Sequence, residues 1–432
     1  MFSLEGKMAD GKKKMMIKTV PIHVNIFIFF IWIFPVTDFL NGFFLTSGYA
    51  IPIGILYRFC FFFFLICVIA SGLFAKSKFT WLILFFIVGN FSIFLIQGIV
   101  LQNSLDWLAK DALVFVKYFL WALIPYYFAQ HKKSFKQVNL NALFLWISFL
   151  FTIELIVPYF LGIGYKTYDH SDAGYKGFFF ANNDTSLAFI VSITFTARAL
   201  LAALQKTWNL RVLFLTVLLF GNLFSLLLLG TKTGILYGIL VYVFSLFYLL
   251  FKATYETVLH KISIWLISLF SCSWIVLFGF RYMAELVQGT YERIIYFYYL
   301  YDGNLIRLLT SSRSHFLENG WQYFLSDPHM PLTLLFGQGF EYRLEHFERL
   351  GLIEMDFFDA FFGLGFLGVL LLFLLLGYFA FKAFQPGKRS IYSFVFVVII
   401  VYSFFAGHVL FSALSSTFLG LVCGGIILQE RK

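Results

Sequence analysis

The sequence predicts an all-α, polytopic transmembrane helical bundle of about twelve spans, with one large outer loop containing short helices between the ninth and tenth. Three observations carry this. Hydrophobic residues make up 61% of the 432, while Asp, Glu, Lys and Arg make up 12%, about half the charged share of a soluble domain. Mean hydropathy is +0.86, and runs such as 51–74 and 360–381 exceed the roughly 20 apolar residues that cross a hydrocarbon core. Lysine and arginine also recur at alternate ends of the apolar runs, as the positive-inside bias requires.

Taken in order, the spans fall near 22–40, 51–74, 79–100, 111–130, 140–162, 184–204, 211–230, 234–251, 262–281, 359–382, 391–408 and 410–428. The basic segment from Lys7 to Lys18 precedes the first. It lacks a small-residue cleavage site and is followed by a full-length apolar run, so it reads as the orientation signal of a retained span. Its expected partner is anionic lipid, not nucleic acid. Lys76/Lys78, Lys132/Lys133/Lys136, Lys206/Arg211, Lys252/Lys261, Lys382/Lys388/Arg389 and Arg431/Lys432 close every even-numbered crossing, which places both termini in the cytoplasm. Cys60, Cys67, Cys272 and Cys423 lie within apolar runs without metal or CxxC spacing and read as small core residues.

The expected division is 1–280 with spans one to nine, 281–358 as an extracytoplasmic loop, and 359–432 with spans ten to twelve. The loop carries six arginines and no lysine, and loops of this length are usually functional. Within it Ser314–Ser326 has helical spacing, stopped by Asp327-Pro328. A second, medium-length outer segment covers 162–184. No internal repeat is visible, whereas alternating-access carriers often show two similar halves.

Ionisable residues at helix ends and in outer loops are the candidates for chemistry, because burying them in lipid is costly. Glu354, Asp356 and Asp359 stand at the outer mouth of the tenth span. They read either as caps on the positive end of a helix dipole or as a general base taking a proton from a substrate hydroxyl. On a continuous helix Asp356 and Asp359 share a face, so joint action requires Glu354 to lie in the preceding loop. Arg313, in Ser311-Ser312-Arg313-Ser314-His315, is a solvated loop residue or a phosphate fork. Lys232, in the tight turn Gly230-Thr231-Lys232-Thr233-Gly234, snorkels or binds phosphate. Arg58 and Lys117 in the outer halves of their spans imply a polar cavity opening outward, and Arg281 opens the large loop. His408 lies between the last two spans, as a packing residue or a ligand contact. No metal motif, P-loop, dinucleotide fingerprint or nucleophile elbow is present, so neither metal nor cofactor is expected.

Several short motifs together resemble the bacterial O-antigen polymerase and ligase family. Ser312-Arg313, Trp321, Gly337-Gln338-Gly339, Glu354-Met355-Asp356-Phe357-Phe358-Asp359 and Gly365-Phe366-Leu367-Gly368 look like its C-terminal signature. The run from Gly174 to Asn183 is similar to its glycine-to-asparagine segment, and Lys232 stands where the family usually carries arginine. Glu354 falls where ligases have a histidine, which favours a polysaccharide polymerase. The resemblance implies a metal-independent glycosyltransferase of the bacterial inner membrane, acting on undecaprenyl diphosphate-linked oligosaccharide, with a chain-length regulator and a flippase as partners. Glu354, Asp356 and Asp359 would then be catalytic, and Arg313, Lys232, Arg58, Lys117, Arg281 and His408 would bind diphosphate or substrate. A ligase, or a lipid-linked oligosaccharide flippase kept in view by the mid-span Glu154, is the alternative.

Overall fold

The computed structural model describes residues 20–49, 51–74, 76–168, 174–206, 208–255, 257–274, 280–387 and 390–429. The basic segment Lys7–Lys18, together with Lys388, Arg389, Arg431 and Lys432, lies outside them, as do the side chains of Cys272 and Arg281. The chain is a helical bundle. Its first nine apolar helices and their connections are α1 (Ile22–Thr46), α2 (Ile53–Ser71), α3 (Lys78–Ile99), α4 (Leu105–Gln130), the single turn α5 (Lys132–Phe135), α6 (Leu140–Phe160), α7 (Asn182–Leu204), α8 (Leu210–Leu229), α9 (Lys232–Phe247, run on by a π turn to Lys252) and α10 (Val258–Trp274). The loop holds α11 (Phe280–Leu300), α12 (Leu305–Leu309), α13 (Arg313–Leu325), α14 (Met330–Phe336) and α15 (Phe340–Phe347), and the chain returns through α16 (Asp356–Phe384), α17 (Ile391–Ala406) and α18 (Ala413–Leu428). Among the described residues nine helices are long and apolar enough to cross a membrane, and shorter apolar helices at Val258–Phe270, Ile391–Ala406 and Ala413–Leu428 complete the twelve segments.

Side-chain oxygens start several of these helices by accepting the first free backbone N–H groups. Ser77 accepts from Thr80 at 3.1 Å, Ser104 from Trp107 at 3.2 Å and Asn209 from Val212 at 3.0 Å. The interior is built on α4, α7 and α18. Every residue of α18 from Ala413 to Ile427 is buried, and the helix packs along α4. Glycine permits that approach: a Cβ on Gly420 would stand 2.9 Å from the Ile124 side chain, and one on Gly424 2.3 Å from Phe128. A four-residue spacing of small residues is how helices meet closely where lipid offers no hydrophobic drive. By contrast α2 and α9 bury few residues and leave Phe63, Leu236 and Phe244 exposed on the outside.

Two features differ from the expectation. The segment after α6 forms a small antiparallel hairpin, Tyr165–Lys166 with Tyr175–Gly177, too short for a period-two pattern to announce it. The loop holds the short helices expected of it, but its start is one long helix, α11, of 21 residues. All large connections gather at one end of the bundle, and the lysine-bearing turns after α2, α4, α7 and α9 lie at the other. We expect cysteines placed at Lys133 and Glu345, in a background without native cysteines, to react from opposite sides of the membrane with an impermeant thiol reagent; labelling of both from one side contradicts this arrangement.

Candidate functional site

A break in α16 organises the loop end. Gly365 has φ +70 and ψ −174, so the helix splits there, and the carbonyls just before the break need partners. The Gln338 N–H donates to Phe362 O at 2.9 Å and the Gly339 N–H to Gly363 O at 3.1 Å. The Gln97 amide, from α3, donates to both Phe336 O and Gly363 O at 2.7 Å. The backbones touch, since a Cβ on Gly337 would stand 2.3 Å from the Gly363 carbonyl carbon and one on Gly365 2.4 Å from Gly337 N. Asp111 of α4 then caps α15, accepting from Phe340 N at 3.2 Å and Glu341 N at 2.8 Å. Arg343, 2% exposed, donates to Gln338 Oε1 at 2.6 Å and Gly351 O at 3.0 Å and lies over the Phe362 ring. Burial lowers its guanidinium to about 10.

These ties deliver residues 351–355 to the head of α16. The three acids there have different surroundings. Asp359 is buried and accepts from Ile353 N at 2.7 Å and Met355 N at 3.1 Å. Asp356, 1% exposed, accepts from Ser403 Oγ at 2.6 Å, Val409 N at 2.9 Å and Leu410 N at 3.3 Å. Both carboxylates bind chain, one folding the loop and the other joining α16 to the α17–α18 turn. Glu354 lies in the loop before the helix, at φ +61. Its backbone carbonyl rests on Gly407, where a Cβ would come within 2.2 Å. Its side chain is 43% exposed, and Oε2 meets Arg313 Nη2 at 2.9 Å.

Cations collect around that pair. Lys232, at the start of α9, donates to Leu308 O at 3.0 Å, and Arg293 and Arg313 both stand within electrostatic reach of it. Arg293, on α11, lies over the Tyr168 ring, 3.2 Å from its centroid. Arg293 Nη1 and Arg313 Nε are buried without a hydrogen-bond partner. Lys232 also sits at the positive end of its own helix. Glu354 pairs with Arg313, Lys232 has Arg293 and Arg313 as charged neighbours, and two buried guanidinium donors stay open, which is the complement of an anion with several oxygens. Ser311, Ser312, Glu354 and His408 have φ between +53 and +68, and such outliers in non-glycine residues cluster at ligand sites.

Beside the pair, α13, α16 and α17 enclose a cavity of about 740 Å³, lined largely by Leu317, Trp321, Phe357, Phe361 and Phe404. Trp321 and Phe404 are exposed, so this apolar trough is open at the surface, and Ser314, next to Arg313 in the chain, lines it.

Of the remaining candidates, His408 adjoins the acids of α16 and the others lie apart from them. His408 stands among carboxylates, with Asp184, Asp356 and Asp359 in electrostatic reach. Arg58 and Lys117 line a separate cavity between α2 and α4. Arg281 belongs to α11, its side chain outside the described residues. Glu154 is on α6 with Oε2 buried and unpartnered. No group of three His, Cys, Asp or Glu able to hold a metal occurs among the described residues. Sequence reasoning did not single out Arg293, although it shares an i,i+4 helical spacing with Phe297, which its guanidinium faces at 5.4 Å. It also passed over Asp184, whose carboxylate accepts from Ser412 and Ser415 at 2.6 Å each; a carboxylate at the mouth of a span was the available signal.

The model of the family described as O-antigen ligase like membrane protein matches residues 22–303 and 297–432. The chain belongs to this family. Among curated proteins none matches the chain at a significant level. An O-antigen ligase like membrane protein is a multi-pass protein whose family points to a membrane enzyme of polysaccharide assembly, with lipid-linked saccharides as substrates.

Since Asp356 holds two backbone N–H groups and a serine hydroxyl in the interior, Asp356→Ala is expected to lower stability by about 1–3 kcal/mol, the range for leaving buried donors unsatisfied. Thermal unfolding of the purified protein in detergent measures this, and an unchanged midpoint contradicts the structural role.

Proposed function

We propose that this chain polymerises lipid-linked oligosaccharide units, moving a glycan from undecaprenyl diphosphate to a hydroxyl of a second lipid-linked unit on the outer side of the cytoplasmic membrane. The carrying observation is the Arg313–Glu354 pair within the Lys232–Arg293–Arg313 cluster, beside the aromatic trough. In this reading the three cations hold the donor's diphosphate and the trough takes its prenyl chain.

The paired state of Glu354 has a mechanistic consequence. With Arg313 Nη2 at 2.9 Å, its Oε2 is taken up by the guanidinium and is not open to an acceptor hydroxyl. An arriving diphosphate offers Arg313 a stronger partner, and turning the guanidinium toward it frees Glu354. The acceptor O–H then attacks the anomeric carbon, Glu354 takes the proton, and the anomeric C–O bond breaks with its electron pair leaving on the diphosphate. The cations offset the charge that develops there. Asp356 suits the base role less, since it is buried and already accepts three hydrogen bonds. Asp359 acts as an orienting residue that shapes the loop holding Glu354.

The family's ligase description supports a second reading, in which the acceptor is a glycan other than a lipid-linked repeat unit. Purified protein offered a labelled lipid-linked donor with each acceptor type separates the two: ladders of repeat units support the polymerase, and a single transfer to the other acceptor supports the ligase. Transport of the intact donor without transfer would favour the flippase alternative.

In the same assay Glu354→Gln keeps shape and hydrogen bonding but removes the proton acceptor, and the rate is expected to fall about 10² to 10⁴-fold. A fall below about tenfold removes Glu354 from the base role. Arg313→Ala should abolish transfer at normal protein levels, with Arg313→Lys restoring only part, since lysine lacks the planar fork. Arg293→Ala is expected to raise the donor KM more than it lowers kcat; an unchanged KM excludes Arg293 from donor binding.

A further inference from the structure

Arg58 and Lys117 share none of the contacts of the Arg313 cluster. They line a cavity of about 460 Å³ between α1, α2 and α4, with Asn41, Leu45, Ile55 and Phe59 among its other walls. The two cations are compensated unequally. Arg58 Nη2 meets Asp38 Oδ1 at 2.7 Å, which neutralises one charge. Lys117 makes no ion pair or hydrogen bond among the described residues; Asp38 and Asp184 act on it only at a distance, and Asp184 is already held by two serines. An ammonium inside a membrane bundle without a contacting partner is costly, and the cavity beside it is where a partner fits. Asn41 adds a free amide N–H₂, since its oxygen is occupied by Gly54 N at 3.0 Å.

The walls specify the rest of the ligand. Leu45, Ile55 and Phe59 are 47%, 41% and 43% exposed and belong to helices whose outer faces are apolar, so the cavity opens sideways on the lipid-facing surface. Cationic and amide donors within and an apolar rim of Leu45, Ile55 and Phe59 match an amphiphile with an anionic head. We propose that this cavity is a second lipid site, which receives a phosphate-ester headgroup on Lys117 and Arg58 and the first part of its chain along Ile55 and Phe59. The headgroup belongs to a prenyl-linked saccharide or to an anionic membrane phospholipid, which share this chemistry. This site stands whether or not the Arg313 cluster binds a donor.

The test is lipid retention by the purified full chain in neutral detergent, read by native mass spectrometry, with geranylgeranyl diphosphate, phosphatidylglycerol and inorganic pyrophosphate as probes. An Arg313→Ala background removes any contribution from the cluster beneath the loop. In that background Lys117→Met is expected to reduce retention of the preferred amphiphile by about tenfold, the loss of one charge-assisted contact, while Lys117→Arg retains it. Preference for geranylgeranyl diphosphate assigns the site to prenyl-linked substrates, and preference for phosphatidylglycerol assigns it to a membrane lipid; either supports the proposal. Equal retention by Lys117→Met and its parent overturns it, as does pyrophosphate binding as tightly as the amphiphiles. Should Lys117→Met fail to fold, Phe59→Ala on the exposed rim carries the test, and undiminished retention of both amphiphiles overturns the proposal.

Discussion

Inside a bilayer no water is available to satisfy a broken helix, so another backbone must take over the freed carbonyls. At Gly365 that substitute is the loop itself. The Gln338 and Gly339 N–H groups occupy Phe362 O and Gly363 O, and glycine at 337 and 365 lets the two backbones touch. The rest of the loop end hangs from this contact. Gln338 holds Arg343, Arg343 holds Gly351, and the chain from Gly351 arrives at Glu354 with its carbonyl against Gly407. Asp359 and Asp356 lock the same stretch from the helix side. A loop of nearly eighty residues thus presents one side chain at a defined point, because its few anchors are buried and each hydrogen bond is made in a site without competing water.

The electrostatics of the site follow from that placement. Lys232, Arg293 and Arg313 are brought together by three separate segments, although like charges repel and two of the guanidinium donors remain unpaired. Glu354 is the carboxylate that pairs with Arg313, and it is also the most accessible acid of its motif. Three acids within six residues therefore do different work. Two face backbone N–H groups and are part of the architecture, while the third faces cations and solvent.

The cations themselves fall into two sets on different helices. One is open to the loop and the aromatic trough of α13, α16 and α17. The other is lined by α1, α2 and α4 with an apolar rim. The α7 entrance lies between them, where Asn183 donates to Ala406 O at 2.8 Å and Asp184 binds the start of α18. Substrates carried by two lipids would need two such cavities, and these two are lined by different helices.

Span positions, their alternation and the all-α class were legible in the sequence because they depend on local composition: an apolar run of sufficient length has few alternatives in lipid. The helix of residues 313–325 and its stop at Asp327-Pro328 were legible for the same reason. Glu354, Arg313 and Lys232 could be nominated because charge near a membrane is scarce. What the three acids do could not be read, since Asp356 finds Ser403 and Val409 through contacts 47 and 53 residues away. Nor could the separation of Arg58 and Lys117 from Arg313, or the arrival of Arg293 from a segment read as loop. Composition acts residue by residue and so survives in the linear order, whereas hydrogen-bond partners and charge neighbours exist only after distant segments meet, and tertiary structure alone decided them.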